Sequence, residues 1–444
     1  MMMCRKELLP GVYLTTLRTD KFKSDCLSVS LLAPLDAGTI SMNALLPRVL
    51  ARGTALHPDL NSLAEVCDEL YGARVIPVVR KKGEILALGF YAGFISDRFT
   101  PGGETLLESV AALLGELLLS PATRAGLLRK DYVESEKEKL TDDIRARIND
   151  KRSYAVYRLV QEMCAYEPYG IDDMGTEEGA HEVTYLQLTR YYRELLRKSP
   201  IELFYCGDAL EARVERALRD ALSTLPRGEL DEEIGTDIRL NTVEAEPRYF
   251  DETLDVGQGK LCLGFRLGNC MEEPDFAAIR VFNALYGGSV NSRLFLNVRE
   301  KLSLCYYASS GCDTRKGIML VSSGIEPANY DIAREEILSQ LEELRRGDFT
   351  EEELSAARAT VASDLRALTD SPGAMEDFYL SQTLIGLDMG PMEMAALCEE
   401  VTADDVTAVA SDIALDAVYF LHGQDTDDDA ESESEEEEED EADA

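Results

Sequence analysis

Histidine is scarce: the 444 residues hold three, His57, His181 and His422, and no two lie within 100 positions of each other. Paired imidazoles one helical turn apart, a common local grip on a catalytic zinc ion, are therefore excluded. A site assembled from distant residues would be the remaining route, and the sequence does not point to one. The ten cysteines are scattered from Cys4 to Cys398 without a C-x-x-C pair. This sets aside a structural zinc knuckle and fits reduced, buried thiols better than a disulfide framework. Apolar stretches such as Val110 to Leu119 fall far short of the roughly 20 residues of a membrane helix. The opening MMMCRKELLPGVYL has basic residues but no apolar core ahead of a small-residue cleavage site, so a cytoplasmic location is expected.

Positive charge is also in short supply, with 45 Lys and Arg against 84 Asp and Glu and a net charge of −39. Residues Asp425 to Ala444 contain fourteen acids and no base, which leaves −25 on the rest of the chain. Such a body repels phosphate backbones and anionic bilayers, so neither nucleic acid nor membrane is expected as a partner. The acidic end cannot bury enough apolar surface to fold. It reads as a disordered tail that favours solubility over the capture of basic partners.

What the sequence does contain is a repeat. EVTYLQLTRYYRELL followed by IELFYCGD, Glu182 to Asp208, is matched by EVTADDVTAVASDI followed by AVYFLHGQD, Glu400 to Asp425. In each copy a capping Thr opens a helix that leads to a strand closed by Gly and, within two residues, Asp. The Glu-Val-Thr triplets are 218 residues apart, and Gly207 and Gly423 are 216 apart. Strand-like runs at Cys26 to Gly38 and Lys260 to Cys270 fall at similar offsets. So do helical stretches at Glu104 to Leu119 and Leu127 to Arg147, against Tyr330 to Arg346 and Glu351 to Leu368. The expected fold is α+β: two homologous domains, each a mostly antiparallel sheet packed against long helices. The boundaries expected are residues 1–225, a linker at 226–247 rich in charge, Pro and Gly, a second domain at 248–424 and the tail at 425–444.

The segment NALLPRVLARGTALHPDLNSLAEVCDELYGARV resembles the first helix and loop of zinc peptidases of the pitrilysin, insulinase and mitochondrial-processing-peptidase family. In that family the helix carries His-x-x-Glu-His ahead of Gly-Thr; aligned on Gly53 and Thr54, the three positions are Ala44, Pro47 and Arg48. Two imidazoles would hold zinc and the carboxylate would take a proton from its water. Ala44 has no donor atom, Arg48 brings a repelling charge and Pro47 cannot act as a base. The family's third ligand is the second of two acids seven residues apart, here Glu136 and Asp143 in ESEKEKLTDDI. No metal and no cofactor is expected. The bland readings are a solvated face for Asp143, surface loops for His57 and His181, and a strand end for His422.

YGGSVNSRLFLNVREKLSLCYYASS, Tyr286 to Ser310, resembles the family's Gly-Gly, Ser-Arg-Leu-Phe, Arg-Glu-Lys and Tyr pattern. The resemblance implies that Arg299 and Tyr306 reach substrate; Tyr307 is the rival in register, disfavoured by the seven-residue spacing. An Arg fork and a phenol can both donate to a peptide carbonyl, yet neither activates water. The plainer alternative is an Arg paired on its helix and a Tyr packed at a strand edge. The Gly287-Gly288 pair lacks the Lys-Ser or Lys-Thr of a phosphate loop and reads as a tight helix-to-strand turn. The resemblance spans Leu8 to Gln424 and is nearest to the inactive bacterial branch associated with elongation-factor-P modification. It implies a fold of the LuxS and processing-peptidase type and a non-catalytic subunit of a heterodimeric zinc peptidase. Such a subunit binds extended peptide and completes the site of a zinc-bearing partner. Two alternatives stand beside it: a purely structural subunit, or a thiol enzyme built on Cys305 or Cys312.

Overall fold

The structure is a computed structural model that describes residues 2–231, 234–268 and 275–424. The expected tail, 425–444, lies outside the described residues.

Two compact units form, and neither is contiguous in sequence. Among the described residues the first takes those of 2–149, 164–239 and 361–400; the second takes those of 150–163, 240–360 and 401–424. The first unit is built on strands β1 (Met2–Leu9), β2 (Val12–Arg18), β3 (Ser24–Pro34), β4 (Arg74–Lys82) and β5 (Ile85–Ile95). A two-residue hairpin, β6 (Thr123–Arg124) and β7 (Leu127–Leu128), stands apart, and β8 (Ile201–Gly207) completes the sheet. The order is β1-β2-β8-β3-β5-β4, with β8 parallel to β2 and antiparallel to β3. The second unit has β9 (Arg248–Thr253), β10 (Gly259–Arg266), β11 (Cys305–Asp313), β12 (Ile318–Ile325) and β13 (Ala414–His422). Its order is β11-β12-β10-β13-β9, with β13 parallel to β9 and antiparallel to β10. Leaving out β1, the two sheets have the same strand order and the same single parallel pairing. The duplication seen in sequence is therefore a duplication of topology.

The helices that open with the repeated Thr form as their spacing demands. Thr184 and Thr402 each accept the N–H three residues on, Gln187 and Asp405, whose side chains in turn accept the N–H of the capping Thr. The strands that follow, β8 and β13, sit in the interior of their sheets, which is why β8 is buried along its whole length.

Alternation along β3 sends Leu27, Val29, Leu31 and Ala33 into the main core of the first unit, together with Leu45 and Val49 of the helix Ile40–Leu50 and Val110 and Leu114 of the helix Leu107–Leu119. On the opposite face Ser28 and Leu32 meet the helix Pro372–Leu384 through Glu376 and Leu380. The second unit has a corresponding cover, the helix Lys151–Met163, whose Leu159 and Met163 pack over Gly264 of β10. There a Cβ on Gly264 would come within 2.4 Å of the Met163 sulfur. Each unit is thus covered by a helix from the other half of the sequence.

The stretch expected as a linker makes hydrogen bonds at several of its described residues. Arg227 donates to the carbonyls of Pro10, Leu196 and Ser199, and Thr236 Oγ1 accepts the N–H of Glu84. Val243 N donates to Asp416 in the second unit. No described helix is long and apolar enough to cross a membrane.

Candidate functional site

The helix Ile40–Leu50 places Ala44, Pro47 and Arg48 on the wall of a cavity of about 500 Å³, with Arg52, Val78 and Met174 among the other lining residues. Gly53 and Thr54 follow for packing reasons. A Cβ at Gly53 would lie 2.5 Å from the Pro58 carbonyl oxygen. The buried Thr54 hydroxyl donates to Glu116 at 3.2 Å and accepts the N–H of His57 at 2.9 Å. This loop needs Gly-Thr whether or not a metal binds.

The helix Lys130–Ala146 lies against the first helix and puts Glu136 on the same wall, with Asp143 within reach of Arg48. Arg48 Nη1 donates to Asp143 Oδ2 at 2.6 Å, and Arg52 Nη1 donates to Glu136 Oε1 at 2.9 Å. Arg48 on the first helix and Arg52 just past its C-terminal end therefore satisfy acids seven apart on the next. Asp143, expected from the resemblance to stand at the family's third-ligand position, holds a guanidinium. The donor set does not fit zinc: of the four family positions, one carboxylate remains and a fixed cation neutralises it. Among the described residues no group of three or more His, Cys, Asp and Glu is placed to hold a metal.

The histidines stay apart. His57 lies in the loop after the first helix, with Nε2 3.9 Å from Glu116. His181 sits within a short helix, Glu177–Glu182, rather than the loop expected for it. There the Thr176 cap and the acidic first turn stabilise one and a half turns of helix. His422 is at the end of β13, with Nε2 2.9 Å from Asp251 and its ring over Phe420.

In the second unit the motif separates into structural and exposed parts. Arg293 is buried and binds Glu343, Glu353 and the Asp348 carbonyl, while Leu294 and Val298 are fully buried. The segment Leu294–Lys301 winds as a π-helix, and the N–H of Leu302 bonds to the carbonyl of Asn297. The Gly287-Gly288 turn leads from the helix Asp275–Tyr286 into this segment, not into a strand as expected. The wider winding shows no signature in hydrophobic spacing. It turns Arg299 partly outward, with its guanidinium 4.5 Å from the Phe295 ring centroid and 3.6 Å from Glu300.

Tyr306 sits where the pairing of β11 with β12 slips: Cys305 faces Ile325, Tyr307 faces Gly324, and Tyr306 is the extra residue. That bulge, on an edge strand, leaves the Tyr306 side chain 61 % exposed. Its hydroxyl donates to Glu326 Oε1 at 2.6 Å, which holds the phenol above its ordinary pKa. Tyr307 instead lies beneath the Arg152 guanidinium, 3.9 Å from its ring centroid. π-Helical turns and bulges are uncommon and concentrate at functional sites. Arg299 and Tyr306 each occupy one. Sequence reasoning missed Glu326, for which no motif exists, and Arg52, whose four-residue offset from Arg48 was the available signal. The two thiols considered as nucleophiles are poorly suited to that role: burial raises the Cys305 pKa and pushes Cys312 up to about 12.

A pair of like sheets, with Ala, Pro and Arg on the helix where a zinc peptidase would carry its ligands, defines the class, a metallopeptidase homologue lacking those ligands. A model described as "Peptidase M16 inactive domain" matches residues 182–361. The "Probable inactive metalloprotease YmfF" of Bacillus subtilis is 33% identical over 415 residues, covering 93% of this chain and 96% of that protein. The chain belongs to the M16 peptidase family, as an inactive member. A conserved protein from Enterococcus faecalis has a similar structure, with TM-score 0.85, 28% identity and coverage of 95% of this chain and 99% of that one. The structure of a peptidase M16 inactive domain from Pseudomonas fluorescens matches with TM-score 0.76 and 16% identity over 96% of this chain and 99% of that one.

Proposed function

We propose that this chain is the non-catalytic subunit of a two-chain zinc peptidase, in which it binds extended peptide through Arg299 and Tyr306 and completes the site of a zinc-bearing partner. The supporting observation is the segment around these residues. Arg299 stands on the π-helix and Tyr306 on the bulge, and Val290, Leu296 and Leu302 nearby in sequence are 69 %, 43 % and 45 % exposed. Large apolar side chains left in water beside an Arg and a Tyr are what a peptide or a partner surface would cover. The guanidinium offers a fork of donors and the phenol a further one, which suits a peptide carbonyl or the oxyanion formed from it. The partner supplies the metal, which Ala44 and Arg48 cannot hold. An acidic body in the cytoplasm without nucleic-acid partners is consistent with this role.

The test is to co-express the chain with a His-x-x-Glu-His subunit of similar length and to assay cleavage of extended peptides. Arg299→Ala is expected to lower turnover of the pair about tenfold to a hundredfold, since one oxyanion donor is worth about that much or more. Tyr306→Phe should lower it less. A pair that forms normally and keeps full turnover with Arg299→Ala would make the chain a structural subunit instead.

A further inference from the structure

We propose that Cys26 and Cys206 form a modification site, a cross-strand dithiol that a hydroperoxide converts to a disulfide. In the antiparallel pairing of β3 with β8, Cys26 stands directly opposite Cys206. Residues so opposed point to the same face with Cβ atoms about 4.5–5.5 Å apart. A disulfide needs Cβ atoms about 3.5–4.5 Å apart, so closure requires a shift of about 1 Å. The pairing is selective: in the described sheets Cys4 faces Thr16, Cys262 faces Ser322 and Tyr419, Cys305 faces Ile325, and Cys312 faces Met319. Cys26 and Cys206 are the one cysteine pair brought opposite each other among the described residues.

Their surroundings supply both cover and access. Cys26 and Cys206 are 1 % and 0 % exposed, and on the same face Ser28 meets Glu376 while Phe204 stacks against Tyr379, both from the helix Pro372–Leu384. Beside them Tyr91 of β5, which interacts with the Cys26 thiol, lines a cavity of about 490 Å³ bordered by Ser24, Asp25, Gly93 and Glu376. The Tyr91 side chain thus both borders that cavity and meets the Cys26 thiol, which gives a small oxidant a route inward. The thiolate of Cys26 attacks the peroxide, breaking the O–O bond to give a sulfenic acid and the alcohol or water. The thiolate of Cys206 then attacks the Cys26 sulfur, and the sulfenic oxygen leaves as water. Two thiols and one hydroperoxide thus become one disulfide, one alcohol and one water, and the two electrons lost by sulfur reduce the peroxide. Cys206 and burial both push the Cys26 thiol up, so the reaction is slow compared with that of an exposed thiol.

The experiment treats the folded full-length chain with hydrogen peroxide at neutral pH, blocks free thiols, digests with trypsin and weighs the peptides without reduction. Ser24 to Arg48 and Ser199 to Arg213 each contain one cysteine. They are expected to appear as a linked pair about 2 Da lighter than the sum of the free peptides, separated by dithiothreitol. Cys26→Ser should abolish the link and leave Cys206 blocked as a free thiol. The proposal is overturned if both cysteines carry the blocking group after the partly exposed Cys4 and Cys67 have been oxidised. It is also overturned if Cys206 links to a different cysteine.

Discussion

Asp416→Ala is the substitution expected to damage the second unit most. Asp416 on β13 is 1 % exposed and receives three donors: Arg266 Nε at 2.7 Å, Arg248 Nη2 at 3.1 Å and the N–H of Val243 at 3.2 Å. Arg266 is 0 % exposed, and both arginines also reach the Met163 carbonyl at the end of the covering helix Lys151–Met163. Removing the carboxylate takes from a fully buried guanidinium the acid bound at its Nε, and the loss of one member of a buried pair costs about 3–5 kcal/mol. The orphaned Val243 N–H adds about 1 kcal/mol. With a urea m-value of about 3 kcal/mol/M for a unit of this size, a loss of about 4–6 kcal/mol moves the unfolding midpoint of the second unit down by about 1.3–2 M. Because the penalty is one of desolvation, the double substitution Arg266→Met with Asp416→Leu should recover most of it. A single variant within about 0.5 kcal/mol of the parent, or a double variant worse than the single, would refute the reasoning.

The other predictions concern pH and metal. Asp25 is buried and accepts the Tyr205 hydroxyl at 2.7 Å; burial raises its pKa to about 6. Since the folded carboxyl holds its proton more tightly than the unfolded one, stability present at pH 4 is lost as pH rises to 6, by at most about 3 kcal/mol. Asp25→Asn should flatten urea midpoints over that interval, and an unchanged slope would assign it to another group. Combining Ala44→His, Arg48→His and Asp143→Glu should give a chain that retains one zinc ion on dialysis, because the Arg48–Asp143 bond already shows that the two helices meet there. The exposed pair removed is worth at most about 1 kcal/mol, so folding should survive. A folded triple variant that takes up no zinc would contradict the inferred geometry.

Much of the fold was legible before any coordinates. The Glu-Val-Thr offsets anticipated paired helices and central strands, because capping and strand alternation are local devices set by neighbours in sequence. The loss of the metal site was legible too, since a side chain without a donor atom cannot ligate in any fold. The reciprocal exchange of covering helices was not legible: amphipathic stretches such as Lys151–Met163 and Pro372–Leu384 advertise an apolar face but not which sheet will bury it. The π-helix under Arg299 and the bulge under Tyr306 were equally hidden, because both are single-residue departures in backbone register that leave composition and spacing untouched.

What the sequence alone determined is therefore the duplicated architecture and the absence of ligands at Ala44, Pro47 and Arg48. Only the tertiary structure decided what replaced them, a guanidinium of one helix bound to the carboxylate of another ninety-five residues away. It also decided which cysteines face each other and which acid holds the Tyr306 hydroxyl. Those pairings depend on how distant segments pack and align, and chain order places no constraint on them until the sheets and helices have closed.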